Sequence, residues 1–296
     1  MLPTRIFAIT AVAMLAFAGN SLLCRMALKQ SSIDAASFTS IRLIAGAAML
    51  WAIMRMRGTK VQGTKWRGEK FFVQGNWLSA SALFVYAACF SYAYVSLSAA
   101  TGALLLFGAV QFTMIGYGLY AGERFGGWQV IGLIAALSGL AGLLLPGLAA
   151  PSPLGAGLML CAGVAWGVYS LRGRKSGDAT AVTAGNFLRA VPMALALSLS
   201  VRLLMPHSAT IDFPGATYAI ASGALASGVG YAIWYTALRG LKATTAATVQ
   251  LSVPVIAGAG GVVFLNEVIT VRLLIASAAI LGGIALVIFD SRTDKR

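Results

Sequence analysis

The sequence predicts an all-α integral membrane protein: ten transmembrane helices arranged as two inverted five-helix repeats, with both termini cytoplasmic. Three observations carry this expectation. Of 296 residues, 59% are hydrophobic and only 10% are charged, against roughly 25% charged in soluble globular domains; mean hydropathy is +0.84. Ten apolar runs can be marked, each near the ~20 residues that cross a hydrocarbon core. Finally, the stretch Leu97 to Phe125 returns as Leu241 to Ile269. At one constant offset Glu123 falls on Glu267, Thr101 on Thr245, Ala103 on Ala247 and Gly116 on Gly260, and beyond the acid Gly139 falls on Gly283. Each stretch has a weakly polar start, an apolar helix rich in Gly and Ala, and one acid at its end.

The runs fall at roughly 5–24, 34–54, 71–94, 99–120, 127–146, 153–171, 181–203, 214–238, 243–264 and 271–289. The first begins like a signal peptide, with Arg5, an apolar run and Ala16-Phe17-Ala18, but its apolar character continues through Leu22 and Leu23; it reads as a retained helix. The second and seventh carry arginines, Arg42 and Arg189, at corresponding depths. The third opens on Gln74 and Asn76 beside a basic loop, and Tyr94 at its end reads as part of an interfacial aromatic belt. The fourth holds Gln111, the eighth an aromatic cluster, and the ninth Gln250 and Pro254. Between the fifth and sixth lies the uncharged, Pro/Gly-rich connection Pro146 to Pro153, the natural boundary between residues 1–147 and 153–290.

Orientation follows from the basic residues. With the N-terminus cytoplasmic, sixteen Lys and Arg fall on the cytoplasmic side and four on the other, the asymmetry of the positive-inside rule. The net charge of +14 is thereby explained by topology, and nucleic-acid binding loses its support. Five helices per half is an odd number, so the second half inserts upside down. Inverted repeats underlie alternating access in many secondary carriers.

At these residues the chain resembles a known family, the EamA-type branch of the drug/metabolite transporter superfamily. The resemblance rests on Tyr235-Thr236-Ala237-Leu238 followed by Ala246 to Glu267 with Pro254 inside, on Arg42, on the Gly122-Glu123-Arg124 ending of the fourth run, and on Ala165 to Tyr169. It implies ten helices in two inverted EamA repeats in the bacterial inner membrane, and export of amino acids, other small metabolites or drugs, driven by proton exchange or by the substrate gradient. One departure is the lack of a proline from Leu97 to Phe125, where the family's first repeat usually carries one.

Several residues are candidates for binding or gating. Arg42 and Arg189 are cations at depths where charge is costly, suited to a carboxylate in a central cavity. Asn20, Gln111 and Gln250 are strong hydrogen-bonding groups within apolar runs and need protein or water partners. Gln250 precedes Pro254 by one turn, and the proline leaves the Gln250 carbonyl without its helical donor, a helix break of the kind carriers bind with. Tyr86, Phe90 and Trp234 lie deep enough to line an amphipathic cavity. Glu123 and Glu267, at helix ends, read as conformational latches, with Arg124 and Arg272 as nearby partners. Cys24, Cys89 and Cys161 have no paired spacing and read as free thiols.

No enzyme signature survives. His207 is the only histidine, so a histidine-based metal or acyl-transfer site lacks a second member, and no P-loop is present. The expected partners are a small-molecule substrate, the bilayer and, in one alternative, protons; no cofactor is expected, and one chain suffices for a complete path. Multidrug efflux of amphiphiles is the rival within transport. A scaffold or receptor is the rival of another class, disfavoured by the lack of any sizeable extramembrane domain.

Overall fold

A computed structural model describes residues 3–56, 74–120, 122, 126–145, 150–173, 178–238 and 249–290. They form the helices α1 (Pro3–Gln30), α2 (Ala35–Met56), α3 (Trp77–Tyr94), α4 (Ala99–Tyr120), α5 (Gly127–Leu144), α6 (Pro153–Gly173) and α7 (Ala179–Leu204). A continuous α8 follows, built from Phe213–Ala221, Ser222–Val229 and Gly230–Leu238, then α9 (Ser252–Leu265) and α10 (Val271–Asp290). Among the described residues, eight helices are long and apolar enough to cross a membrane; Ser252–Leu265 and Val271–Val287 are apolar but shorter.

The distribution of side chains is that of a bundle solvated by lipid. Mid-helix Leu15, Ile134, Leu199 and Val263 are exposed, while Asn20, Arg42, Gln111 and Asn186 are buried. In water this arrangement would be inside out. In hydrocarbon, apolar surface needs no cover and polar groups must find partners within the protein. The chain is a multi-spanning α-helical membrane protein.

Helix starts are marked by capping. The Asp34 carboxylate accepts from the N–H groups of Ala36 and Ser37 at 2.9 Å each, Asn76 accepts from Ser79 N–H at 2.8 Å, and Asp178 accepts from Thr180 and Ala181, each satisfying otherwise orphaned donors. Across the bundle, α2 packs on α7, α4 on α9, α5 on α10, α3 on α6 and α1 on α8. The α5–α10 contact is closest at Gly132 and Gly283, where a Cβ on either would run into the carbonyl of the other. Here small residues let backbones touch.

Three details differ from the sequence reading. The first helix continues six residues past its expected end, to Gln30, so Arg25 and Lys29 are helical rather than in a loop. Tyr94 is fully buried, its ring set edge-on against Phe90 at 4.8 Å, and is no part of an interfacial belt: Gly102 of α4 leaves the space its ring fills. The ninth run is interrupted at Leu251. Pro254 therefore lies in the first turn of α9, where its missing N–H is no loss.

Candidate functional site

The middle of the bundle holds a small cavity lined by Phe17, Asn20, Ser21, Tyr86, Phe90, Trp166 and Tyr231, among others. Its empty volume, counted out to its open mouth and so including open solvent, is about 330 Å³; the enclosed part is narrow, and a substrate would need the wall to open. Its wall is aromatic. Trp166 of α6 sits 4.8 Å from the Tyr86 ring of α3 and 5.0 Å from Tyr231 of α8, and Phe17 of α1 packs edge-on against Tyr231 at 5.9 Å and Trp234 at 5.8 Å.

One layer behind this wall is Arg42, only 1% exposed. Its Nη2 donates to the Tyr86 hydroxyl at 3.0 Å and its Nε to Ser227 Oγ at 3.4 Å. The guanidinium lies over the Tyr86 and Phe90 rings, 5.2 and 4.9 Å from their centroids, a cation–π arrangement. Its Nη1 has no hydrogen-bond partner. The Tyr86 hydroxyl also accepts from Asn20 Nδ2 at 3.2 Å, and Ser222 Oγ donates to Asn20 Oδ1 at 2.6 Å. Three helices, α1, α2 and α3, thus meet on one phenol, and α8 joins them through Ser222 and Ser227.

Both serines belong to Ser222–Val229, a π-helical segment of α8, a geometry that often marks functional sites. Gly223 in it packs against the Arg42 carbonyl so closely that any side chain would clash. The widened turn presents Ser222 towards α1 and Ser227 towards α2.

Arg189 does not join this cluster. Its Nη1 donates to the carbonyls of Gln74 at 2.6 Å and Gly185 at 3.0 Å, fastening α7 to the segment before α3. Neighbouring Asn186 accepts from Asn76 N–H at 3.0 Å. Gln111 is buried in α4, with Nε2 unpartnered. Gln250 is half-buried just before the turn at Leu251. Trp234 is buried behind Phe17 rather than on the cavity wall.

Glu267 lies at the end of the bundle that carries the α1–α2 turn. Its Oε1 pairs with Arg25 Nε at 3.0 Å and its Oε2 accepts from Ala99 N–H at 2.8 Å. The acid follows the C-terminus of α9, where the dipole is unfavourable, but its carboxylate reaches the N-terminus of α4, where an anion is stabilised. Arg25 also donates to the carbonyls of Tyr94 and Val95, and Lys29 to that of Leu265. Arg272 is not the partner of Glu267: it donates to the carbonyls of Gly142 and Leu145. Arg25 escaped the sequence reading because its helix outlasts the apolar run. Glu123 and Arg124 lie outside the described residues.

The cysteines are free, but Cys89 and Cys161 meet across the α3–α6 seam, with sulfurs 3.8 Å apart. Linear spacing gave no hint of this.

Comparison with known proteins bears on the whole chain. Uncharacterized protein PA1977 of Pseudomonas aeruginosa PAO1 is 53% identical over 284 residues, covering 96% of this chain and 94% of its own. A solved crystal structure, 20% identical and covering 99% of both chains, superposes with a TM-score of 0.67 and speaks to the fold. The model of the EamA-like transporter family matches residues 153–289. This chain, a multi-pass bacterial membrane protein with a polar cluster sealed inside an apolar bundle, belongs to the EamA-like transporter family.

Proposed function

We propose that the protein is a secondary carrier that exports amino acids or similar small metabolites across the inner membrane by alternating access around the central cavity. One observation carries this reading: a fully buried guanidinium one layer behind the cavity wall, with an N–H still unpartnered. A buried charge without a counter-charge is costly, and a substrate carboxylate would supply both the missing charge and the missing acceptor. In this reading Arg42 anchors the substrate, Asn20 and Tyr86 hold the anchor, and Phe90 and Trp234 shape the aromatic surroundings. Gln111 in α4 and Gln250 before α9 are polar stations, and the interruption at Leu251 is a joint at which α9 can tilt.

The alternating-access architecture is supported by packing as well as by the repeat. Exchanging each of the first five helices for its copy turns the α3–α6 contact into α8–α1, α2–α8 into α7–α3 and α4–α6 into α9–α1, and every one of these contacts is present. Ten spans in two inverted halves, 1–147 and 153–290, with cytoplasmic termini, account for that closure. Glu267, bound to α1 and α4 together, then latches the outer end. Glu123 is the corresponding latch on the cytoplasmic side, and Arg189 a hinge clamp in the second half.

The experiment is transport by purified protein in liposomes, with labelled neutral, aromatic, basic and acidic amino acids, with and without a pH gradient. Saturable flux of one group supports the reading, and acceleration by the gradient marks proton coupling. No flux from folded protein, with flux of cationic amphiphiles instead, replaces it with multidrug efflux.

A further inference from the structure

A second cavity opens at the opposite end of the bundle from Glu267, where α3 and α7 begin. It is lined by Asn76, Ser79, Tyr169, Arg172, Asn186 and Tyr235 among others, with an empty volume of about 290 Å³. Arg172 is its charged residue, held in place by bonds from Nε to Ser79 Oγ at 3.0 Å and from Nη2 to Asn76 Oδ1 at 3.3 Å. No acid lines either cavity among the described residues.

The two cavities share two helices. Trp166 and Tyr231 line the central one; Tyr169 and Tyr235, one turn further along α6 and α8, line the one at the bundle end. Between them stands the Trp166–Tyr169 ring contact, with centroids 5.5 Å apart. A path from the bundle end to the centre therefore passes Arg172, then an aromatic septum, then the wall in front of Arg42. Both cations on it are guanidiniums. Arg42 keeps a free N–H, and the polar groups beside it are already engaged: Tyr86 accepts twice, and the Asn20 oxygen is taken by Ser222. The Ser21 hydroxyl on the wall is also unpartnered, but no carboxylate among the described lining residues stands there to balance an ammonium.

Resting on the carrier reading above, we propose that the cavity at Arg172 is an entry vestibule that captures a carboxylate anion and passes it across the Trp166–Tyr169 septum to Arg42. The substrate is recognised as a monocarboxylate with an apolar or aromatic body, and an amino group is dispensable. Arg172 acts at the water-facing end, so its attraction is long-range and screened by salt; the screening length falls from ~30 Å at 0.01 M to ~3 Å at 1 M. Arg42, sealed from water, acts at short range and is little affected.

The test uses purified protein and three probes of one shape: 3-phenyllactate, phenylalanine and phenylalaninamide. Binding is followed by stopped-flow tryptophan fluorescence at low and high salt. Phenyllactate should bind at least as tightly as phenylalanine, and the amide about tenfold or more weaker. Arg172→Gln should slow phenyllactate association several-fold at low salt and leave it unchanged at high salt, and Arg172→Lys should restore most of the rate. A clamp that merely holds α3 would give no such salt dependence, and lysine would not rescue it. If phenyllactate binds but its association ignores Arg172, the vestibule is overturned and the central site stands. If the amide binds and the two carboxylates do not, the anion class falls together with the anchoring role of Arg42. If the wild type binds none of the three, the carrier reading itself is contradicted for this size of substrate.

Discussion

Arg42 and Arg189 stand at corresponding depths in the two halves of the sequence, yet the protein uses them differently. Arg189 spends its guanidinium on the backbone carbonyls of Gln74 and Gly185, which makes it a fastener between α7 and the start of α3. Arg42 lies between aromatic rings, bonded to a phenol and a serine, and keeps one N–H free. Copied position therefore does not mean copied role. What separates them is the surroundings: α8 offers Arg42 a π-helical turn with Ser227, whereas Arg189 is drawn to the carbonyls of Gln74 and Gly185. One arginine serves the site, to which both halves contribute side chains, and the other serves as a brace.

The largest way to break this comparison is to crowd the two arginines' neighbours. Gly223→Ala would drive a methyl group into the Arg42 carbonyl, and Gly185→Ala into that of Gln74. Each should destabilise the fold by about 1–3 kcal/mol, the usual effect of overpacking, read as a lowered melting temperature in detergent. Only Gly223→Ala should also impair substrate binding in the surviving folded fraction. Equal effects of both on binding would erase the distinction.

Tyr86→Phe removes the acceptor shared by Asn20 and Arg42. Leaving those buried donors unsatisfied should lower stability by about 1–3 kcal/mol and weaken binding. Preserved affinity in this variant would show that Tyr86 only fills space.

The Arg25–Glu267 pair is largely buried, with side chains 13% and 9% accessible. Glu267→Gln keeps an oxygen for Ala99 N–H while removing the charge, which should cost about 1–3 kcal/mol. Its sharper effect is on access: a cysteine placed at Ala99 should react faster with a water-soluble maleimide when Glu267 is Gln. An unchanged rate would remove the latch from the account. The smallest effect concerns the seam beside the site. Copper-phenanthroline should cross-link Cys89 to Cys161 and leave Cys161→Ser uncross-linked, as their 3.8 Å separation requires.

Much of this was legible in the sequence, for a physical reason. Arg42, Asn20 and Gln111 stand out because hydrocarbon tolerates strong polar groups only when the protein satisfies them, and helix positions follow from the length needed to span a bilayer. Other features left no trace. The π-helical turn of α8 depends on one extra residue in a helix of ordinary composition, Ser222-Gly223-Ala224-Leu225. The partner of Glu267 is Arg25, distant in sequence, because α1 outlasts its apolar run. Tyr94 looked interfacial until Gly102 was seen to make room for it. Contacts between distant helices are set by packing, and packing is not written in any local pattern.

The central claim is that Arg42 exists for the substrate rather than for the fold. Arg42→Met tests it most directly, with thermal stability and substrate binding measured on the same purified preparation. A buried charge replaced by an apolar side chain of similar length often leaves stability unchanged or raises it. The account predicts a melting temperature at or above wild type, with binding weakened about a hundredfold, the scale expected for losing a buried charge contact. A protein that unfolds on this substitution, or that keeps its affinity, would contradict it.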